Sequence, residues 1–185
     1  MPGSTADRYR RLAAAFTEKI ASVPDDRWDA PTPCDDWSAA DLVQHLVDSQ
    51  GLFLGFVGRS LPDDLPAAAD DPLGAWTGAS AVVQADLDDP DRANAEFEGM
   101  FGRQTFAEGV DRFLCFDLVV HGWDLARATG LNEHMPEDEV PRVQAAAEAF
   151  GDKMRGPGAF GEAVEPPADA DAQERLLAYL GRDPR

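Results

Sequence analysis

The stretch "DLVVHGWDLARATG", Asp117–Gly130, decides how this chain folds. It closes a helix that opens at Thr105, where Glu108 three residues later completes a capping-box pattern, and that stops at Gly130. Steps of three and four along it pick out Phe106, Val110, Phe113, Leu114, Asp117, His121, Leu125 and Ala128. Such spacing marks the face a helix turns toward a core. An aspartate and a histidine on that face are either a solvated patch or chemistry held inside the protein.

The segments on either side read as further helices. About residues 5–23, Tyr9, Leu12, Phe16, Ile20 and Val23 recur at helical spacing until Pro24 stops them. "PDDRWDAPTPCDDW", with three prolines, reads as an ordered loop. Ser38 and Asp41 then open a second helix whose stripe is Leu42, His45, Leu46, Ser49, Phe53 and Phe56. A third, weaker helix over about 72–87 aligns Leu73, Trp76, Ser80, Val83 and Leu87. The connection after it carries a short extended piece at Phe97–Phe101. A fifth helix over about 136–154, a Gly/Pro-rich crossing "RGPGAFGEAVEPP" and a terminal helix in "DADAQERLLAYLG" complete the chain. Four amphipathic helices without a run of strands predict an all-α helix bundle. The expected organisation is one domain over 1–185, with 131–185 as a C-terminal extension packed on it.

Hydrophobic residues make up 44% of the 185 and charged residues 28%, ordinary values for a globular chain. The net charge of -19 is not ordinary. Phosphate backbones and anionic lipid both call for Lys and Arg, so nucleic acid and membrane are excluded as expected partners. Lys19 and Lys153 are the only lysines. The charged N-terminus lacks the apolar core of a signal peptide, and no apolar run reaches the roughly 20 residues of a membrane span. A cytoplasmic location is expected, with Cys34 and Cys115 reduced.

Of the three histidines, His45 and His121 fall on core-facing stripes of separate helices, and Asp117 precedes His121 by one turn. Residues four apart on a helix stack on one face. Asp117 and His121 are therefore placed to chelate one ion, with His45 as a third ligand and a fourth position open, a donor set familiar from catalytic zinc. An ionised aspartate without a partner in a core costs several kcal/mol, which a cation would remove. The alternative is a core histidine satisfied by hydrogen bonds, with no metal. Asp124 has two readings, a hydrogen bond to the ligand imidazole or a solvated carboxylate, the first being favoured. His134 is expected to be exposed and Trp123 to pack. Cys34, four residues before the cap of the second helix, is expected to be buried beside Trp37.

Taken together, "TPCDDWSAADLVQHLVDS" and "FDLVVHGWDLARATG" resemble the metal-binding domain of mycothiol-dependent maleylpyruvate isomerases, in the DinB-like superfamily. The closing "RLLAYLGRDP" is similar to the tail of small actinobacterial members of that superfamily, and the resemblance runs from about Thr5 to Pro184. It implies a DinB-like four-helix bundle with additional C-terminal helices and a divalent metal, zinc first, with nickel or another transition metal as options. The ligands it implies are His45, Asp117 and His121, Asp117 standing where the isomerase has the longer glutamate. In the isomerase the metal activates a thiol cofactor, and a C-terminal domain supplies an arginine, for which Arg155 is the candidate here. The implied function is metal-dependent S-transfer or isomerisation with a mycothiol-type thiol and an electrophilic substrate. Asp124 is a candidate general base. The alternative is a non-catalytic, metal-stabilised binding or interaction module. A homodimer is an allowed assembly.

Overall fold

The computed structural model describes residues 3–34, 36–99, 101–155 and 160–185, with the side chains of residues 152 and 153 outside the description. Two compact units result, Met1–Glu133 and His134–Arg185.

In the first unit, α1 spans Thr5–Ser22, and its N-cap Ser4 accepts from the Asp7 amide. The three-proline loop follows, and α2, Ala39–Phe56, opens on the expected capping box of Ser38 and Asp41. The helix α3, Pro72–Asp88, begins with proline behind an Asp71 cap. A one-turn helix α4, Pro90–Ala93, leads into an antiparallel hairpin of β1, Glu96–Gly99, and β2, Gly102–Thr105. The extended piece expected at Phe97–Phe101 is thus realised largely as β1; Met100, inside it, lies outside the described residues.

The helix expected from Thr105 to Gly130 has a break in its winding. It starts as α5, Phe106–Gly109, on a Thr105–Glu108 capping box and widens into a π-turn at Val110–Leu114. It continues as α6, Cys115–Thr129, closed by Gly130 at φ 76, the left-handed conformation glycine tolerates. The wide turn sits at a joint: Arg8 of α1 donates through Nη1 to the Asp111 carbonyl at 2.7 Å and to its carboxylate at 2.9 Å.

The helices α1, α2, α3 and α6 pack against one another, α1 and α2 each touching both α3 and α6. The seam is apolar, with Trp76 fully buried and set edge-on to Phe16 at 5.0 Å. Two of the polar side chains inside it are paired across helices, as burial favours. Trp76 donates through Nε1 to Thr17 Oγ1 at 2.9 Å. The Tyr9 hydroxyl donates to Gln50 Oε1 at 2.6 Å, joining α1 to α2 in the dry interior. The single-stripe reading understates α6, which is buried at nearly every position from Cys115 to Ala126, Asp117 being the half-buried exception. A helix enclosed on all faces is the centre of its unit.

In the second unit, α7, Val140–Phe150, starts later than the expected 136 because Pro141 fits only the first turn. It ends in a 3₁₀ turn at Gly151–Met154. The Gly/Pro-rich crossing lies partly outside the described residues, and α8, Ala172–Tyr179, is capped by Asp171 and Glu174. Among the described residues no helix is long and apolar enough to cross a membrane.

Replacing Tyr9 with phenylalanine leaves Gln50 Oε1 buried without its donor. Tyr9→Phe is expected to cost about 1–3 kcal/mol, read as a lower urea midpoint at unchanged slope.

Candidate metal centre

Three pieces of chain meet around His121: α6 itself, the middle of α2, and the loop that precedes α2. The helix brings His121 and Asp124, which lie three apart and so share a face. His121 is 9% exposed and Asp124 0%. His121 Nδ1 and Asp124 Oδ2 are 2.9 Å apart, a short, charge-assisted contact. From α2, the half-buried His45 sets its ring against that of His121, centroids 5.2 Å apart and planes at 79°.

The loop is stiff for reasons visible in its hydrogen bonds. Pro31 and Ser38 bridge its ends, and the Thr32 amide donates to the Trp37 carbonyl at 2.9 Å. Thr32 Oγ1 donates to the carbonyls of Cys34 and Trp37 and accepts from the Cys34 amide. Asp36 takes a positive φ of 64, which aspartate tolerates better than most residues. So held, the loop lays Trp37 over His45 at 4.6 Å between centroids. It also brings Cys34 Sγ to 3.5 Å from Asp124 Oδ2 and 3.9 Å from His121 Nδ1.

The two imidazoles are driven apart in acidity. Burial, then the charge of His121, push His45 down to about 4, with Asp48 opposing weakly. Burial also works against a proton on His121. Hydrogen bonds to Asp124 and Cys34, with the charges of Asp124 and Asp117, overcome it and push His121 up to about 10. The pair therefore carries one positive charge at neutral pH, on the ring beside Asp124.

The structure brings together His45 and His121 of the residues singled out in the sequence. Asp117 lies one helical turn before His121, half-buried, and acts on it through its charge. The carboxylate enclosed by the core is instead Asp124, because α6 is surrounded on all faces and Asp117 lies in its first turn. Of the two readings of Asp124, the hydrogen bond to the imidazole is the one found. His134 is exposed and Trp123 buried, as expected. Arg155 belongs to the second unit, where Nη1 donates to the carbonyls of Gly161 and Tyr179 and the guanidinium lies 4.8 Å from the Tyr179 ring centroid. Cys34, expected to be buried beside Trp37, is half-buried and lies against His121 and Asp124, a grouping the sequence reading did not make. Its only local signal was its position in a proline-bounded loop just before a helix cap.

The donor chemistry fits a transition metal. Imidazole, carboxylate and thiol are the groups zinc takes, and His121 has a carboxylate on Nδ1, which is how proteins orient a ligand histidine that binds through Nε2. Cys34, His121 and Asp124 also place one donor atom each within 4.8 Å of one another.

Comparison with known proteins gives the family of the chain. The model of the "Mycothiol maleylpyruvate isomerase N-terminal domain" family matches residues 9–126, a span that includes Cys34, His45, Asp117, His121 and Asp124. Two Mycobacterium tuberculosis proteins, "Uncharacterized protein Rv0738" of strain H37Rv and "Uncharacterized protein MT0763" of strain CDC 1551, are each 33% identical over 181 residues. The alignment covers 96% of this chain and 97% of each of theirs. No solved structure matches. The chain thus belongs to the mycothiol maleylpyruvate isomerase N-terminal domain family, with the all-α, DinB-like fold that the resemblance implied.

Proposed function

We propose that this protein is a cytoplasmic divalent-metal protein of low-molecular-weight thiol chemistry, a mycothiol-type S-transferase or isomerase acting on an electrophilic small molecule. Its proposed ligands are His45, Asp117 and His121, with zinc as first choice and nickel or another transition metal as alternatives. One observation carries the reading: imidazoles from separate helices meet edge to face at 5.2 Å, and one of them is gripped at Nδ1 by a fully buried carboxylate. The family's description, which names mycothiol, supports the class of thiol.

An ion held there would supply the positive charge that makes a thiol a thiolate near neutral pH. The protein's own groups do the rest. Asp124 fixes the rotation of His121 and holds a proton on Nδ1, so that Nε2 becomes the donor once an ion displaces the second proton of the ring. Trp37 lies across His45 and restricts its ring. Asp124 is the general-base candidate, since it already shares a proton with His121.

Protein purified without a histidine tag is expected to carry roughly one equivalent of transition metal per chain. His121→Ala is expected to lose it, and both His45→Ala and His121→Ala to lose turnover on a panel of thiols and electrophiles. Metal analysis that finds only traces, with no uptake on reconstitution, would sink the reading. Asp124→Asn is expected to keep the fold yet weaken metal affinity by about 10–100-fold, measured by competition with a chromophoric chelator.

In protein stripped of metal the histidines give a pH signature whose sign follows from their shifts. His45, held near 4, contributes stability above its ordinary 6.5 that is lost as pH falls toward 4. His121, raised to about 10, contributes below 6.5 and loses that contribution as pH rises through 10. Thermal midpoints of the metal-free protein should therefore be highest around pH 6.5, and the alkaline decline should vanish in His121→Asn.

A further inference from the structure

We propose that Cys34, His121 and Asp124 form a cation position of their own, built for a thiophilic divalent ion such as zinc or cadmium. The spacing of the three donor atoms carries the proposal. His121 Nδ1 and Asp124 Oδ2 are 2.9 Å apart, Cys34 Sγ and Asp124 Oδ2 3.5 Å, and Cys34 Sγ and His121 Nδ1 3.9 Å. Tetrahedral zinc, with bonds of about 2.0–2.3 Å, holds neighbouring donors roughly 3.3–3.6 Å apart. The three observed edges straddle that range, so an ion seats between them with shifts of a few tenths of an ångström.

Charge agrees with spacing. A thiolate and a carboxylate carry two negative charges and a neutral imidazole none, which cancels a divalent cation in a buried place. Binding releases two protons, one from the thiol and one shared between His121 and Asp124. The approach is prepared on both sides: Thr32 fastens the backbone that presents Cys34, and α6 fixes the other two residues. Cys34 is half-buried, whereas His121 and Asp124 are buried.

This site shares His121 with the ligand set of the proposed function and needs neither His45 nor Asp117. A neutral imidazole has one lone pair to give, so an ion on Nδ1 and an ion on Nε2 are alternatives for the same ring. In the position on Nδ1 the sulfur ligand is the protein's own thiol.

Cobalt(II) titration of the metal-free protein tests this, because cobalt bound to sulfur shows a near-ultraviolet charge-transfer band and cobalt bound to nitrogen and oxygen alone shows only its visible bands. The expected result is a sulfur band that saturates with added cobalt, is lost in Cys34→Ser, and persists in His45→Ala and Asp117→Asn. Visible bands without the sulfur band overturn the proposal while leaving the His45–Asp117–His121 reading intact. A sulfur band that survives in Cys34→Ser comes from Cys115 and overturns it as well, as does loss of the band in His45→Ala. Absence of all cobalt bands overturns both readings. Should Cys34→Ser prove unfolded by circular dichroism, X-ray absorption of the zinc-loaded wild type decides: a sulfur neighbour at about 2.3 Å is expected, and a shell of only nitrogen and oxygen rejects it.

Discussion

A carboxylate with no solvent exposure, Asp124, faces one nitrogen of His121 at 2.9 Å, and the rest of the centre follows from that contact. Left without a partner, an ionised carboxylate at that depth costs several kcal/mol. His121 removes the cost only by presenting a proton on Nδ1, which fixes the ring's rotation as well as its protonation. Once the ring is fixed, the edge it shows to His45 is fixed too, and so is the place where Cys34 meets the pair. Burial, and then the charge on His121, keep the His45 imidazole neutral. A single buried hydrogen bond thus sets the orientation of the ring and the place of its proton together.

The scaffold is arranged to hold that contact still. Helix α6 runs through the middle of the first unit, enclosed by its neighbours, so its side chains have little room to change rotamer. The π-turn before it is tied to α1 by Arg8, and α1 is tied to α2 by Tyr9 and Gln50. His45 therefore reaches His121 from a helix that is itself anchored to the same core. The loop carrying Cys34 and Trp37 is the one irregular contributor, and its Thr32 hydrogen bonds substitute for regular secondary structure.

Much of this was readable residue by residue. Ser38 with Asp41, Thr105 with Glu108 and the stop at Gly130 announce their helix ends because capping is chemistry between residues three apart. His45 and His121 were legible as inward-facing, since their neighbours at steps of three and four are apolar. Leu73 and Phe56 show the limit of the same logic. Both sit on predicted apolar stripes and both are exposed, because a stripe can outrun the helices available to cover it. The π-turn and the hairpin partner β2 had no comparable signature.

What the sequence by itself determined is the all-α class, the caps, and the pairing of acidic residues with His121 along one helix, all of which depend on contacts within a turn or two. Tertiary structure decided which carboxylate is enclosed. Asp117 and Asp124 are both within reach of His121 by helical spacing, and only the packing around α6 leaves the first half-exposed and the second dry. Tertiary structure also brought in Cys34, 87 residues away in the chain from His121. Spacing along a helix is a property of the backbone, whereas the meeting of a loop thiol with a buried imidazole depends on how whole helices pack, which no local pattern encodes.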